Sequence, residues 1–113
     1  MKLEPKPLNE VTKYPEKPKD EWYRKEISLK DGTKFTVFSK TYNNLLIDVV
    51  IIQKDDVCSL GGRIFTKEGE IKFNTFNRVK PRIFEGKNSL KQILAYLPSE
   101  LNEMETLAEN LLK

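Results

Sequence analysis

Between Trp22 and Val79 the segments 22–29, 33–42 and 70–79 alternate along the chain with a period of two, around an apolar run at 45–53; beyond Asn88 the spacing changes to three and four. Successive side chains of a strand point to opposite faces of a sheet. On that rule segment 22–29 is a strand with Tyr23, Ile27 and Leu29 on one face. Asp31-Gly32 marks a hairpin turn, because glycine tolerates positive φ. A strand over 33–42 follows, and Asn43-Asn44 turns the chain again. Leu45–Gln53 is rich in β-branched residues and apolar on both faces, so it reads as the central strand. Asp55-Asp56 is a turn and Gly61-Gly62 a bulge or sharp bend. Arg63–Lys67 is a short strand, Glu68-Gly69 turns, and Glu70–Val79 returns. Pro81 has no amide proton to donate and ends sheet pairing.

Leu90, Leu94, Leu97, Leu101, Met104, Ala108 and Leu111 follow at spacings of four and three. This is a heptad seam about three heptads long, widened by Ile93, Leu107 and Leu112. Asn88 or Ser89 can cap its start, and Ser99 can cap a second helix after Pro98. Proline removes a hydrogen bond inside a helix. Two helices, or one kinked at Pro98, are therefore expected. The seam has two readings. It packs on its own sheet, or it exceeds what a small sheet can cover. In the second case Leu94, Leu97, Leu101, Met104, Ala108 and Leu111 pair with a second subunit.

Residues 1–20 interleave Pro5, Pro7, Pro15 and Pro18 with five lysines and carry little to bury. They read as a flexible leader, or as an arm laid along a partner. Residues 21–113 form one domain. The expected class is α+β: an antiparallel sheet of four or five strands followed by a C-terminal helix or kinked helix pair. The longest apolar stretch, Leu45–Ile47 with Val49–Ile52, is too short to span a bilayer, and no signal peptide is visible. The chain reads as soluble and intracellular.

Charge changes the picture of the sheet. The 113 residues carry a net charge of only +3, but it is unevenly distributed. Residues 71–91 hold six cations against one anion, and residues 98–113 one cation against four anions. On the strand 33–42, Lys34, Thr36, Phe38, Lys40 and Tyr42 share a face. On 70–79, Lys72, Asn74, Phe76, Arg78 and Lys80 do. Trp22 and Arg24 can extend the first set; Arg63, Lys67 and Arg82 can join the second. Cations track phosphates and flat rings stack on unpaired bases. The expected function is sequence-tolerant binding of single-stranded DNA or RNA, DNA before RNA, by a homodimer or higher homo-oligomer. The competing reading of Phe38 and Phe76 is core packing, and of the cations a solvated face. The alternative function is a protein-interaction module, such as a small viral or regulatory inhibitor, that uses the C-terminal seam.

Catalytic chemistry has little to work with. The sequence has no histidine, the side chain that most often serves as general base or metal ligand. Cys58 is the only cysteine, so neither an intrachain disulfide nor a thiolate zinc site can form. Asp48 is a lone acid in an apolar strand, and pairing with a nearby Lys or Arg is its expected fate. The chain is read as a non-enzyme without cofactor or metal.

Three stretches carry a resemblance. Lys34-Phe35-Thr36-Val37-Phe38-Ser39-Lys40, Leu45-Leu46-Ile47-Asp48-Val49 and Gly61-Gly62-Arg63-Ile64-Phe65 are similar in arrangement to strands of the transcriptional-coactivator and Whirly group of single-stranded-DNA-binding domains. The resemblance implies a curved antiparallel sheet followed by a helix, with unpaired strands bound across the sheet and assembly through helices and strand edges. The chain departs from that group in its extra strand 70–79 and its longer helical region.

Overall fold

The structure, a computed structural model, describes residues 3–9, 12–77 and 82–112. Four long strands form an antiparallel meander: β1 (Tyr23–Ser28), β2 (Lys34–Tyr42), β3 (Leu45–Lys54) and β4 (Val57–Thr66). The turns between them need left-handed backbone, supplied by Gly32, Asn43 and Asp55. At the first turn the Asp31 carboxylate also accepts the Thr33 N–H at 2.9 Å. Two short strands, β5 (Ile71–Asn74) and β6 (Arg82–Glu85), share the outer edge of β4. β5 pairs with Arg63–Phe65 and β6 with Val57–Leu60. One helix, α1 (Ser89–Leu111), completes an α+β fold.

Gly61-Gly62 does not interrupt pairing with β3. These residues sit opposite Val50 and Val49 within one continuous strand. Close packing on both faces is what requires glycine here. A Cβ on Gly61 would lie 2.7 Å from the Phe76 ring, and one on Gly62 2.5 Å from Met104. On the outer edge these residues fall between β5 and β6. There the Gly62 N–H donates to Thr75 Oγ1 at 2.7 Å, where a strand would otherwise pair. This explains why the expected strand 70–79 stops at Asn74: Thr75–Asn77 forms a short 3-10 turn. Val79 and Pro81 lie outside the described residues. Pairing resumes at Arg82, which the sequence reading did not anticipate.

Pro98 does not divide the helix, and Ser99 therefore caps nothing. The proline is exposed, so its ring meets solvent while the opposite side of α1 packs on the sheet. Neither Asn88 nor Ser89 caps the start through its side chain. Ser89 is buried, and its hydroxyl lies 3.4 Å from Cys58 Sγ.

Both faces of the sheet are covered. On one, Ile47, Val49 and Ile51 of β3 with Leu60 and Ile64 of β4 pack under Ile93, Met104 and Ala108 of α1. On the other, Phe35, Val37, Val50 and Ile52 pack with Leu3 and Leu8. The N-terminal segment, expected as a leader with little to bury, thus contributes two buried leucines. Each contributes about 1.5–3 kcal/mol relative to exposure. Farther along it, the Tyr14 hydroxyl donates to the Asn43 carbonyl at 2.8 Å. Lys19 exchanges backbone and side-chain bonds with Thr41. Among the described residues no helix is long and apolar enough to cross a membrane.

Candidate interaction surfaces

The register of β1 on β2 gathers the first basic and aromatic set on one face. Arg24 lies opposite Phe38, and Glu26 opposite Thr36. Trp22, Arg24, Lys34, Phe38, Lys40 and Tyr42 therefore belong together, as their alternation implies. They do not form an open stacking platform, because α1 lies on the same face. Phe38 and Trp22 pack against the core cluster beneath the helix. Glu105 of α1 accepts the Trp22 indole N–H at 2.6 Å and pairs with Lys40 at 3.5 Å. The Lys40 ammonium also sits 5.7 Å from the centre of the Trp22 ring. Toward the sheet edge, Arg24 and Lys34 both pair with Glu26. Desolvation is the largest single influence on the Glu26 carboxyl and pushes its pKa up. The charges and hydrogen bonds of Arg24 and Lys34 together outweigh it and hold the carboxyl below its ordinary range. Tyr42 is exposed at the end of β2.

The second set is divided between faces and edges. Arg63 is only 1% exposed and belongs to the face opposite α1. Its guanidinium donates to both Asp48 oxygens, from Nε at 3.2 Å and Nη2 at 2.8 Å. It also reaches the N-terminal segment, Asn9 Oδ1 at 2.7 Å and Thr12 Oγ1 at 3.2 Å. The Phe65 ring centre lies 4.7 Å away. Burial pushes the Asp48 carboxyl above the usual carboxylate range, against the pull of the Arg63 charge and its hydrogen bonds. The pairing expected of Asp48 is present, and it removes Arg63 from the surface.

Lys67 lies over the Tyr14 ring at 5.2 Å, and Lys72 pairs with Glu70 at 3.3 Å. Phe76 is half-buried against the second core cluster. Arg82 pairs with Glu100 at 3.1 Å and covers the Tyr96 ring at 5.0 Å. Arg78 and Lys80 lie outside the described residues. Each described cation of the expected site therefore has an anionic or aromatic neighbour within the chain. Four of these contacts, at Arg24, Lys34, Lys67 and Lys72, involve exposed or half-exposed side chains. Surface pairs of this kind contribute little, about 0–1 kcal/mol, and exchange readily.

The seam residues divide as well. Met104 and Ala108 are fully buried in the chain's own core, and Leu97 and Leu101 pack against it. Leu94 and Leu111 are exposed, as are Leu90, Tyr96 and Leu112. The innermost line of the helix is Ile93, Leu97, Glu100 and Met104, which shares Leu97 and Met104 with the leucine seam but is rotated from its mean direction by roughly a tenth of a turn. Glu100 was missed in the sequence because it is charged, although its spacing of seven from Ile93 and four to Met104 places it on that line. It is 0% exposed. Its carboxylate accepts from Thr75 Oγ1 at 3.0 Å as well as from Arg82.

Among the described residues no group of three or more His, Cys, Asp or Glu side chains is arranged to hold a metal ion. Comparison with protein-family models, curated proteins and solved structures finds no match.

Asp48→Asn leaves the Arg63 charge buried without its counter-ion, and urea denaturation should show a loss of about 3–5 kcal/mol. The double variant Asp48→Leu with Arg63→Met removes both charges together. It should recover most of that loss, because a buried pair gives little net stability over well-packed apolar groups.

Proposed function

We propose that the protein is a protein-interaction module that pairs with a second copy of itself through the outward flank of α1. The observation that carries this is a line of leucines beside the buried one. Leu90 is 40% and Leu94 47% exposed, and half-buried Leu101 continues the flank. Glu105, one turn beyond Leu101, reaches Trp22 and Lys40, so this flank faces the β1–β2 side of the sheet. On that side Arg24, Glu26 and Lys34 remain accessible.

Charge selects the occupant. The first turn of α1 has no acid and the last no base. Lys91 is the only cation in the helix, near its start, and its acids lie in the second half, where Glu100 is buried beside Arg82, Glu105 reaches Trp22 and Lys40, and Glu109 is exposed. Such an arrangement opposes the helix dipole, which favours anions at the N-terminus and cations at the C-terminus by about 0.3–1 kcal/mol each. An antiparallel second copy reverses the disadvantage. It brings Lys91 of one helix toward the acidic C-terminal half of the other, which ends in exposed Glu109, and lets each leucine flank cover its twin. The contact is self-complementary, as a two-fold dimer requires.

The stripe is short of a standard interface, so affinity near the micromolar range is expected. Sedimentation equilibrium should show a monomer–dimer equilibrium that tightens at low salt. Leu94→Lys should weaken association by roughly 2 kcal/mol, about 30-fold, while the denaturation midpoint stays unchanged. A strictly monomeric chain at high concentration and low salt would contradict the proposal.

A second reading, sequence-tolerant binding of unpaired nucleic acid, is favoured by one observation: the exposed pairs of Arg24, Lys34 and Lys72 are weak enough for phosphate to displace. On that reading a labelled oligo-dT binds at about 50 mM salt and loses at least tenfold in affinity by about 200 mM. Absence of binding at the lower salt rejects it.

A further inference from the structure

On the face opposite α1 a cleft of about 190 Å³ opens between the N-terminal segment and β5 with its following turn. Arg63 forms its charged floor, Asn9 and Asn74 line it with amides, and Leu3, Ile71 and Phe76 line it with hydrocarbon. Around Arg63 the hydrogen-bonding groups left over are donors, while Glu4 and Asn77 complete the polar lining nearer the rim. A guanidinium carries five N–H groups. Four are engaged by Asp48, Thr12 and Asn9, which leaves one on Nη1. The Asn9 amide oxygen accepts from Arg63, so its NH₂ group is the part left over. The Asn74 oxygen accepts the Phe76 N–H at 3.0 Å, which leaves its NH₂ group as well. Both amide orientations follow from donors that cannot act as acceptors. Lys6 adds an ammonium at the rim, 3.8 Å from the one lining acid, Glu4.

We propose that this cleft binds a carboxylate carried on a short apolar or aromatic group. Arg63, Asn9 and Asn74, which line the same cleft, keep N–H groups for its oxygens, and Ile71, Leu3 and Phe76 receive the hydrocarbon. The volume equals that of about six liquid waters, enough for a ligand of benzoate size. A free organic acid and the C-terminus of a peptide present the same chemistry, and backbone carboxylates are captured elsewhere by comparable sets of N–H donors. The site is on the other side of the sheet from the α1 flank and does not depend on self-association.

The test is an NMR titration of the full chain with benzoate and with benzamide, following the Arg63 Nε–H and the Asn9 and Asn74 side-chain amides. Benzamide keeps one acceptor but turns an NH₂ group toward a wall of donors. Saturable shifts at all three groups are expected with benzoate, with affinity at least about tenfold higher than for benzamide. Ile71→Glu places an acid on the wall at an exposed strand position, so the fold survives and benzoate binding is lost. A short peptide with a free C-terminus, compared with its amidated form, identifies the source: tighter binding than benzoate, lost on amidation, assigns a chain terminus, and weaker binding assigns a free acid. Absence of saturable shifts with benzoate, equal binding of benzamide, or binding that survives Ile71→Glu would overturn the proposal.

Discussion

A guanidinium at the centre of a sheet constrains everything around it. Arg63 is buried among apolar strands, where an unpaired charge is prohibitive. Asp48, directly opposite on β3, neutralises it. A carboxylate satisfies only two of its donors, and Asn9 and Thr12 satisfy two more. The N-terminal segment is therefore tied to the sheet by hydrogen bonds as well as by Leu3 and Leu8. Removing Asp48 or Arg63 alone leaves the other's charge buried without its counter-ion, whereas Asn9 and Thr12 add bonds to a pair that is already matched.

Glu100 plays the corresponding part under α1. It brings together the helix, the turn after β5 and strand β6 through Thr75 and Arg82. Each face of the sheet thus has an apolar core with one buried carboxylate matched to an arginine. The consequence for function is a shift of the available surface. Side chains that look free in the sequence are tied to neighbours, and contact is left to places the two covers do not reach. Those places are the leucine flank of α1, the exposed pairs at the sheet edge and the cleft beside Arg63.

The first three strands were legible because the pattern of their side chains and the turn residues at 31–32, 43–44 and 55–56 are local signals, whereas β4 starts at Val57, six residues before the strand expected from Arg63. The helix was legible for the same reason, and so was the partner expected for Asp48. Cover was not legible. Alternation places Phe38 and Lys40 on one face of β2, but nothing local says that α1 lies on that face or that Glu105 reaches Trp22. The N-terminal segment was misjudged because Leu3 and Leu8 stand isolated among prolines and lysines, with no periodicity to show that both reach the sheet. Gly61-Gly62 resembled a break because glycine usually marks backbone freedom. Here it marks the space needed by Phe76 and Met104. β6 was missed because four residues after a proline carry too little pattern.

The most direct measurement is the stability of a chain lacking residues 1–20, compared with the full chain by urea denaturation. If the segment completes the core and the Arg63 cluster, its removal uncovers Phe35, Val37 and Ile52 and takes Asn9 and Thr12 from the guanidinium. The expected loss is several kcal/mol, roughly that of uncovering two leucines and two hydrogen bonds to a charge. An unchanged midpoint in the shortened chain would show that the segment is a dispensable leader, and would contradict a sheet covered on both faces.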